Sequence, residues 1–234
     1  MRLAVFSDVH GNWHALQAVL QDLRGRADVA VCAGDLAWGG PFPERTVEQV
    51  QAGGFPCVLG NTDVTAADEA AAAHHPWARW ARARLEPRHL AFLQGLPREH
   101  RIETPAGTVL VVHSTPSDPA APLPKPSEPE AVVRLFRGAG AALVVHGHDH
   151  LPSVTRAPEV WVVGTGSVGL PFDGDPRACY VLVTATPDGF AVEHRRVAYD
   201  VEAAAREALQ GAMPGAARWA AAVRQGLSPD RVAP

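Results

Sequence analysis

Polar residues of the kinds that bind metal ions follow five short apolar runs of this chain. The motifs after these runs are Ser7-Asp8-Val9-His10-Gly11-Asn12, Gly34-Asp35, Gly60-Asn61-Thr62-Asp63, His113 and Gly147-His148-Asp149-His150. Each preceding run has the length and composition of a β-strand. Because open α/β sheets bind ligands at the carboxyl ends of their strands, we expect the five motifs to meet in one crevice.

The side chains at these strand ends favour a pair of metal ions over a structural zinc ion. Seven of them are candidate ligands, and none is a cysteine: Asp8, His10, Asp35, Asn61, His113, His148 and His150. A structural zinc site closes with about four ligands and favours thiolates. Imidazole and carboxylate ligands together suit manganese, iron, nickel, cobalt or zinc. A carboxylate such as Asp35 could bridge two cations about 3.5–4 Å apart, the geometry used for hydrolysis at phosphorus.

The order of the motifs resembles that of the calcineurin-like metallophosphoesterase superfamily, in which Asp-x-His, Gly-Asp, Gly-Asn-His-Asp/Glu, a lone His and Gly-His-x-His follow one another. Segments 7–12 and 166–171 also resemble the small bacterial and archaeal phosphodiesterase branch of that superfamily. The resemblance extends over about residues 1–200. It implies an α/β fold, a four-layer α/β/β/α sandwich of two mixed sheets flanked by helices.

The resemblance also implies how the seven candidates divide between two metal ions. Asp8, His10 and His150 would hold the first ion. Asn61, His113 and His148 would hold the second, and Asp35 would bridge both. A water or hydroxide between the ions would be the nucleophile, because a bound metal can lower the pKa of water to about 7. Manganese is the first expectation for both divalent ions, with iron, nickel, cobalt and zinc as alternatives.

Thr62 departs from the family pattern, since many relatives have a histidine at this position that is thought to assist the leaving group. A threonine does not titrate near neutral pH, so it cannot act as that acid. Three explanations stay open: His74 or His75 supplies the proton, the substrate has a good leaving group, or the metal ions do most of the work. The phosphodiesterase branch often replaces this histidine, so Thr62 is compatible with activity on diesters.

Two other polar residues are candidates for substrate contact. Asn12 could cap the helix that follows it, point its amide at a phosphoryl oxygen, or do both. Arg177 could bind a phosphate with its planar guanidinium, although an ion pair with a nearby aspartate is the simpler expectation. For Asp63 we favour a role in orienting the site over direct contact with a metal ion.

Length and composition indicate one large domain spanning 1–234. The chain has 234 residues, of which 47% are hydrophobic and 20% charged, enough for a sizeable core. Its net charge of −4 argues against electrostatic binding of long nucleic acid. No apolar stretch has the length of a signal peptide or a membrane span, so a cytoplasmic location without a membrane partner is expected.

Strand and helix patterns alternate in the first half of the chain, and strands dominate the second half. Apolar spacing predicts helices over 13–23 and 44–52. Residues 64–96 are predicted as a helical insertion near the site, and 200–234 as a C-terminal helical extension broken at Pro214-Gly215. Trp77 and Trp80 in the insertion are expected to anchor its helices to the core, with stacking on a nucleotide base as the alternative.

These patterns predict a dimetal phosphodiesterase that hydrolyses small phosphodiesters or nucleotides. A dinucleoside polyphosphate hydrolase and a protein phosphatase are alternative enzymes. The non-enzymatic alternative is a scaffold like the eukaryotic retromer subunit, which resembles this branch. Such a scaffold is expected to lose ligands, whereas all seven candidates are present here. Assembly into a homo-oligomer stays open.

Overall fold

The computed structural model describes residues 1–233 as two β-sheets with helices on their outer faces. The strands are β1 Arg2–Phe6, β2 Val29–Cys32, β3 Glu99–Thr104, β4 Gly107–Val112, β5 Leu143–His146, β6 Pro152–Arg156, β7 Trp161–Thr165, β8 Ala178–Thr186 and β9 Gly189–Val197. The helices are α1 Trp13–Leu23, α2 Pro43–Ala52, α3 Asn61–Ala67, α4 Glu69–Ala73, α5 Pro76–Arg82, α6 Pro87–Gln94, α7 Pro129–Phe136, α8 Val201–Gln210 and α9 Ala216–Gln225, followed by a 3-10 turn at Pro229–Arg231.

Both sheets are mixed, as the family resemblance implied. The first has the strand order β2-β1-β8-β9, with β1 parallel to β2 and antiparallel to β8. The second has the order β3-β4-β5-β7-β6, in which β4, β5 and β7 run parallel between antiparallel edge strands. The parallel strands of each sheet end at the same edge, and the predicted ligand motifs follow those ends.

The alternation of side chains along the strands produces the four layers. Leu3 and Val5 of β1, with valines of the neighbouring β8, face the second sheet and pack with valines and a leucine of β4, β5 and β7. Ala4 and Phe6, one residue away in each case, face outward and pack against α1 and α2. Valines of α7 cover the outer face of the second sheet in the same way. The predicted α/β/β/α sandwich is confirmed.

The helices begin where the sequence supplies caps or prolines. The side chain of Asn12 accepts a hydrogen bond from the Ala15 N–H at the start of α1, and Leu16 and Val19 lie on its buried face. Pro43 occupies the first turn of α2, where its missing N–H costs no hydrogen bond. The C-terminal break falls at Pro214-Gly215 as predicted, between α8 and α9.

One predicted strand does not form. The run 57–59, which is the strand-like run before the Gly60-Asn61-Thr62-Asp63 motif, makes only an isolated bridge between Cys32 and Cys57. Pro56 precedes this run and lacks an N–H, and Gly60 ends the run before α3 begins, so it is too short for a ladder. Backbone hydrogen bonds from Cys32 to Pro56 and from Val58 to Cys32 still hold the run beside β2. Asn61 therefore reaches the same sheet edge as the other motifs.

Within residues 1–233, every helix is too short or too polar to cross a membrane.

Candidate metal centre

All seven predicted ligands lie together at the carboxyl ends of the strands. Asp8, His10 and His150 form one group whose candidate ligand atoms are all within 4.8 Å of one another. Asp8, Asp35 and His113 form a second such group. His148 and Asn61 adjoin this second group, since the Asn61 Oδ1 lies 2.9 Å from His148 Nδ1 and 3.0 Å from His113 Nε2. Asp35 lies between the two sides, 3.6 Å from His10 Nε2 and 3.4 Å from His113 Nε2.

Left-handed backbone is concentrated at these ligands. Within residues 1–233, the non-glycine residues with positive φ are all candidate ligands: Asp8 at 56°, His10 at 47°, Asp35 at 58°, His148 at 72° and His150 at 60°. Each such residue costs about 1–3 kcal/mol and persists only where its surroundings hold it. Hydrogen bonds from the Asp8 N–H to Gly34 and from the His10 N–H to Asp35 provide part of that restraint. Strain of this kind is typical of functional sites.

Two glycines of the motifs lie so close to neighbouring residues that no side chain fits there. A Cβ on Gly147 would lie 2.1 Å from the Ser7 Oγ, and a Cβ on Gly60 would lie 2.1 Å from the Asp35 Oδ1. Any larger residue would push the motifs of β1, β2 and β5 apart. The glycines that precede the ligands in the sequence therefore allow the strand ends to converge.

Backbone carbonyls orient three of the four histidines. The Nδ1 atoms of His10, His113 and His150 donate to the carbonyl oxygens of Trp38, Ala33 and Leu170. A proton fixed on Nδ1 leaves a lone pair on Nε2, and all three Nε2 atoms face the cluster. His148 differs because its Nδ1 faces the cluster, toward Asn61.

The short distances between the metal-ligand atoms of this cluster are those expected where cations bind. His10 Nε2 and His150 Nε2 are 3.1 Å apart, and both carry lone pairs when their Nδ1 atoms are protonated. Asn61 Oδ1, also an acceptor, lies 3.0 Å from His113 Nε2, a distance that requires a proton or a cation between the two atoms. Acceptors at such distances repel one another unless a proton or a cation lies between them. The mixed imidazole, carboxylate and amide set suits divalent transition metals, so the residues present fit the implied pair of ions.

The pKa values of the buried acids and bases show strong coupling. Burial raises the pKa of Asp8 to about 7, with Asp35 adding to the rise. Burial also opposes ionisation of Asp35, but His113 and His10 outweigh it and hold the Asp35 pKa well below its usual range. Asp35 in turn raises the pKa of His113 to about 10 against the effect of burial. Without metal, His113 therefore carries a proton that an incoming cation would have to displace.

Asp63 holds the Asp35 loop in place. Its carboxylate is fully buried and accepts hydrogen bonds of 2.8 Å from the backbone N–H groups of Asp35 and Leu36. It also accepts longer ones from Ala37 and Gly60. Burial, together with the neighbouring Asp35 charge, raises the pKa of Asp63 to about 6. These contacts agree with the predicted positioning role and leave Asp63 outside both ligand groups.

The structure does not support substrate contacts by Asn12 and Arg177. The Asn12 side chain is fully buried, with its oxygen bonded to the Ala15 N–H and its amide donating to the Gly169 carbonyl and the Tyr199 hydroxyl. Its capping role is confirmed, and no donor remains for a phosphate. Arg177 is exposed and forms an ion pair of 2.6 Å with Asp175. Asn12 therefore caps α1, and Arg177 forms the ion pair that was the simpler expectation.

A cavity of about 600 Å³ opens over the ligand cluster. Its walls include residues that the sequence did not single out, namely Trp38, Phe172 and Arg218. Phe172 stacks on His150 with ring centroids 4.0 Å apart. Trp38 follows the Asp35 motif by three residues, which is a usable local signal. Phe172 and Arg218 have no such signal, because tertiary packing brings their segments to the site.

The predicted helical insertion also reaches this cavity. His75 and Trp77 line it, and the His75 ring packs edge-on against Trp38 with centroids 4.3 Å apart. Trp80 instead packs against the C-terminal helices, which is the predicted anchoring role. Thr62 lines the cavity as well, and its buried hydroxyl has no hydrogen-bond partner among residues 1–233.

A two-sheet α/β sandwich with a histidine and carboxylate cluster at its strand ends defines a metal-dependent hydrolase fold and site. Residues 1–188 match the model of the calcineurin-like phosphoesterase superfamily domain. The chain therefore belongs to this superfamily, a family of metal-dependent phosphoric ester hydrolases.

Two similar proteins cover nearly the whole chain, and a third covers about half of it. An uncharacterized protein of Methanocaldococcus jannaschii is 26% identical over 233 residues, 91% of this chain and 93% of that protein. The crystal structure of a metallophosphoesterase from Sphaerobacter thermophilus is similar with a TM-score of 0.81 and 27% identity, over 97% of this chain and 99% of that one. A UDP-2,3-diacylglucosamine hydrolase of Ralstonia nicotianae is 31% identical over 129 residues, 52% of this chain and 47% of that protein.

Proposed function

We propose that this protein hydrolyses small phosphodiesters or nucleotides with the help of two divalent cations. The observation that carries the proposal is the convergence of seven donor side chains whose nitrogen and oxygen lone pairs face one another beneath an open cavity. Such a cluster is costly to bury without bound cations, because its acceptors repel one another. The cavity volume of about 600 Å³ suits a small-molecule substrate.

The residues proposed to hold the ions are those that converge. Asp8, His10 and His150 would hold one ion, Asn61, His113 and His148 the other, and Asp35 would contact both. When bound, the ions would supply Lewis acidity at the phosphoryl oxygen and an activated water. The chain itself contributes rigid ligands, since the carbonyls of Trp38, Ala33 and Leu170 fix the rings of three histidines. We take manganese as the first candidate for both ions.

Preference for diesters over monoesters is the finer part of the proposal. Thr62 offers a hydroxyl but no titratable group where relatives place a histidine, so substrates with good leaving groups are favoured. The Ralstonia relative is named for a UDP-linked sugar, in which each phosphorus carries two substituents. Of the two histidines considered as proton donors, His75 lines the cavity. It is the better candidate to assist a poorer leaving group.

The direct test compares bis-p-nitrophenyl phosphate with p-nitrophenyl phosphate after loading with manganese, iron, nickel, cobalt or zinc. We expect turnover of both, with the higher kcat/KM for the diester, and about two metal ions per chain by elemental analysis. A folded protein that holds two ions and cleaves neither ester would contradict the proposal. Faster cleavage of the monoester would retain phosphoester hydrolysis but reject the diester preference.

A further inference from the structure

Two helical segments meet over the metal centre. Trp77 belongs to α5 of the predicted insertion, and Gly215 caps the start of α9 with a left-handed φ of 69°. A Cβ on Gly215 would lie 3.0 Å from the indole Nε1 of Trp77, so the two segments are in close contact. Trp77 lines the cavity above the ligands. The start of α9 is therefore held beside that cavity.

The position of α9 is tied to the ligand cluster. Trp219 of α9 is fully buried in an apolar cluster that includes Leu170 and packs against Phe172. The carbonyl of Leu170 accepts the His150 Nδ1–H, and Phe172 stacks on the His150 ring. The same loop thus supports a metal ligand on one side and α9 on the other.

Arg218, the residue before Trp219, lies at the cavity above the ligand cluster, and its positive charge is not paired within residues 1–233. It is exposed and lines the cavity, and within residues 1–233 it forms no ion pair and no side-chain hydrogen bond. Arg224 of the same helix instead pairs with Glu202 at 2.7 Å. Among the residues described, Arg218 is the one arginine or lysine in the cavity lining. Asp230 shares that lining without pairing with Arg218.

We propose that Arg218 binds a second phosphate of the substrate, one that is not cleaved, and so selects phosphodiesters that carry an additional phosphate group. The guanidinium presents a planar fork of donors that matches phosphate oxygens and stays charged at every working pH. A cavity of about 600 Å³ exceeds what a lone phosphate occupies, which leaves room for a nucleotide-sized substrate. This inference rests on the proposed phosphoesterase function for its catalytic consequence.

The test uses two esters that differ only in the second phosphate: the p-nitrophenyl ester of thymidine 5′-phosphate, without and with a 3′-phosphate. We expect the wild type to show a KM about tenfold lower for the 3′-phosphorylated ester, as for a charged hydrogen bond, with similar kcat. Arg218→Gln should abolish this difference and leave kcat within about twofold, because the interaction is equal in the ground and transition states. Arg218→Lys should restore part of the difference.

Arg206→Gln is the matched control, since Arg206 is an exposed arginine of α8 outside the cavity lining. It should behave as the wild type. Equal KM values for the two esters in the wild type, or a preference that survives in Arg218→Gln, would overturn the inference while leaving phosphodiester hydrolysis intact.

A calorimetric titration separates the inference from the proposed function. Thymidine 3′,5′-bisphosphate should bind the metal-loaded wild type about tenfold more tightly than thymidine 5′-phosphate does, and this ratio should fall to about one in Arg218→Gln. Suppose that neither p-nitrophenyl ester is cleaved but the two affinities differ about tenfold in the wild type and not in Arg218→Gln. The proposed reaction would then be wrong, and the proposed phosphate site at Arg218 would be supported. Equal affinities in the wild type would reject the subsite.

Discussion

The two halves of the ligand cluster differ in how firmly the fold holds them. Asp8, His10 and His150 are all buried, and backbone carbonyls fix both histidine rings. On the other side, His113 is buried and bonded to the Ala33 carbonyl, but Asn61 and His148 are half-buried, and no carbonyl within residues 1–233 accepts a hydrogen bond from the His148 ring. We call these groups the buried half and the open half. From this difference we predict that the buried half retains an ion more firmly than the open half does.

The difference follows from where the ligands sit in the chain. The His150 ring donates a hydrogen bond to the Leu170 carbonyl and stacks on the Phe172 ring. Asn61 instead begins α3, after a run too short to form a strand. Burial also lowers the pKa of His148 to about 4, so its ring is neutral and ready to bind metal at neutral pH. Packing and backbone carbonyls restrain both histidines of the buried half, whereas in the open half the Ala33 carbonyl restrains His113 and the Asn61 side chain contacts His148.

The largest expected effect comes from Asp35, which contacts both halves. Asp35→Asn should lower kcat/KM for bis-p-nitrophenyl phosphate by about 10³-fold or more, because it removes the charge shared by the two ions. Metal content should fall below two ions per chain. Asp188→Asn, at an exposed turn residue, is the control. Full activity in Asp35→Asn would reject Asp35 as a shared ligand.

Next in size is the contrast between the two histidines that follow Gly147. His150→Ala should abolish tight binding in the buried half, whereas His148→Ala should leave one tightly bound ion and weaken the other by about 100-fold. Elemental analysis after dialysis measures the retained ions, and circular dichroism checks folding. Retention of one ion by His150→Ala and of none by His148→Ala would reverse the assignment of the two halves.

Metal binding should release protons. His113 has its pKa raised to about 10 by Asp35, so at pH 7.5 its proton must leave before the ion binds. Calorimetry in two buffers of different ionisation enthalpy should give about one proton released, and the apparent affinity should rise with pH up to about 10. Titrating a sample that already holds one ion shows whether the proton is released when the second ion binds. Because His113 belongs with the open half, the second ion should account for it.

The smallest effect is expected at Thr62, whose hydroxyl is buried without a partner. Thr62→Val should change kcat/KM for bis-p-nitrophenyl phosphate by less than about threefold, since p-nitrophenol needs no general acid. It should raise the free energy of unfolding by up to about 1 kcal/mol, because an unsatisfied buried hydroxyl is removed. A loss of activity near that of Asp35→Asn would show that the hydroxyl acts in the chemistry. Thermal denaturation measures the change in stability.

Much of the fold and of the ligand set could be predicted because both depend on local patterns. Strand-like runs, helix caps and glycines appear within a few residues of the features they produce. The predicted strand over 57–59 was wrong. Composition alone does not show that a run of three residues is too short to form a ladder of β-sheet hydrogen bonds. For a related reason, the sequence left both a local role and a substrate contact open for Asn12 and Arg177. A polar side chain beside a motif looks free in the sequence, and only its neighbours show that its donors are already used.

The class of chemistry follows from local sequence, since four motifs after strands and one after a short bridged run bring imidazoles and carboxylates to one sheet edge. What covers that edge depends on the tertiary structure. Trp77, Phe172 and Arg218 come from segments far apart in the chain, and they meet because α9 packs against the loop that supports His150. Side-chain packing between distant segments has no short-range signature, so the walls of the cavity follow from the fold alone.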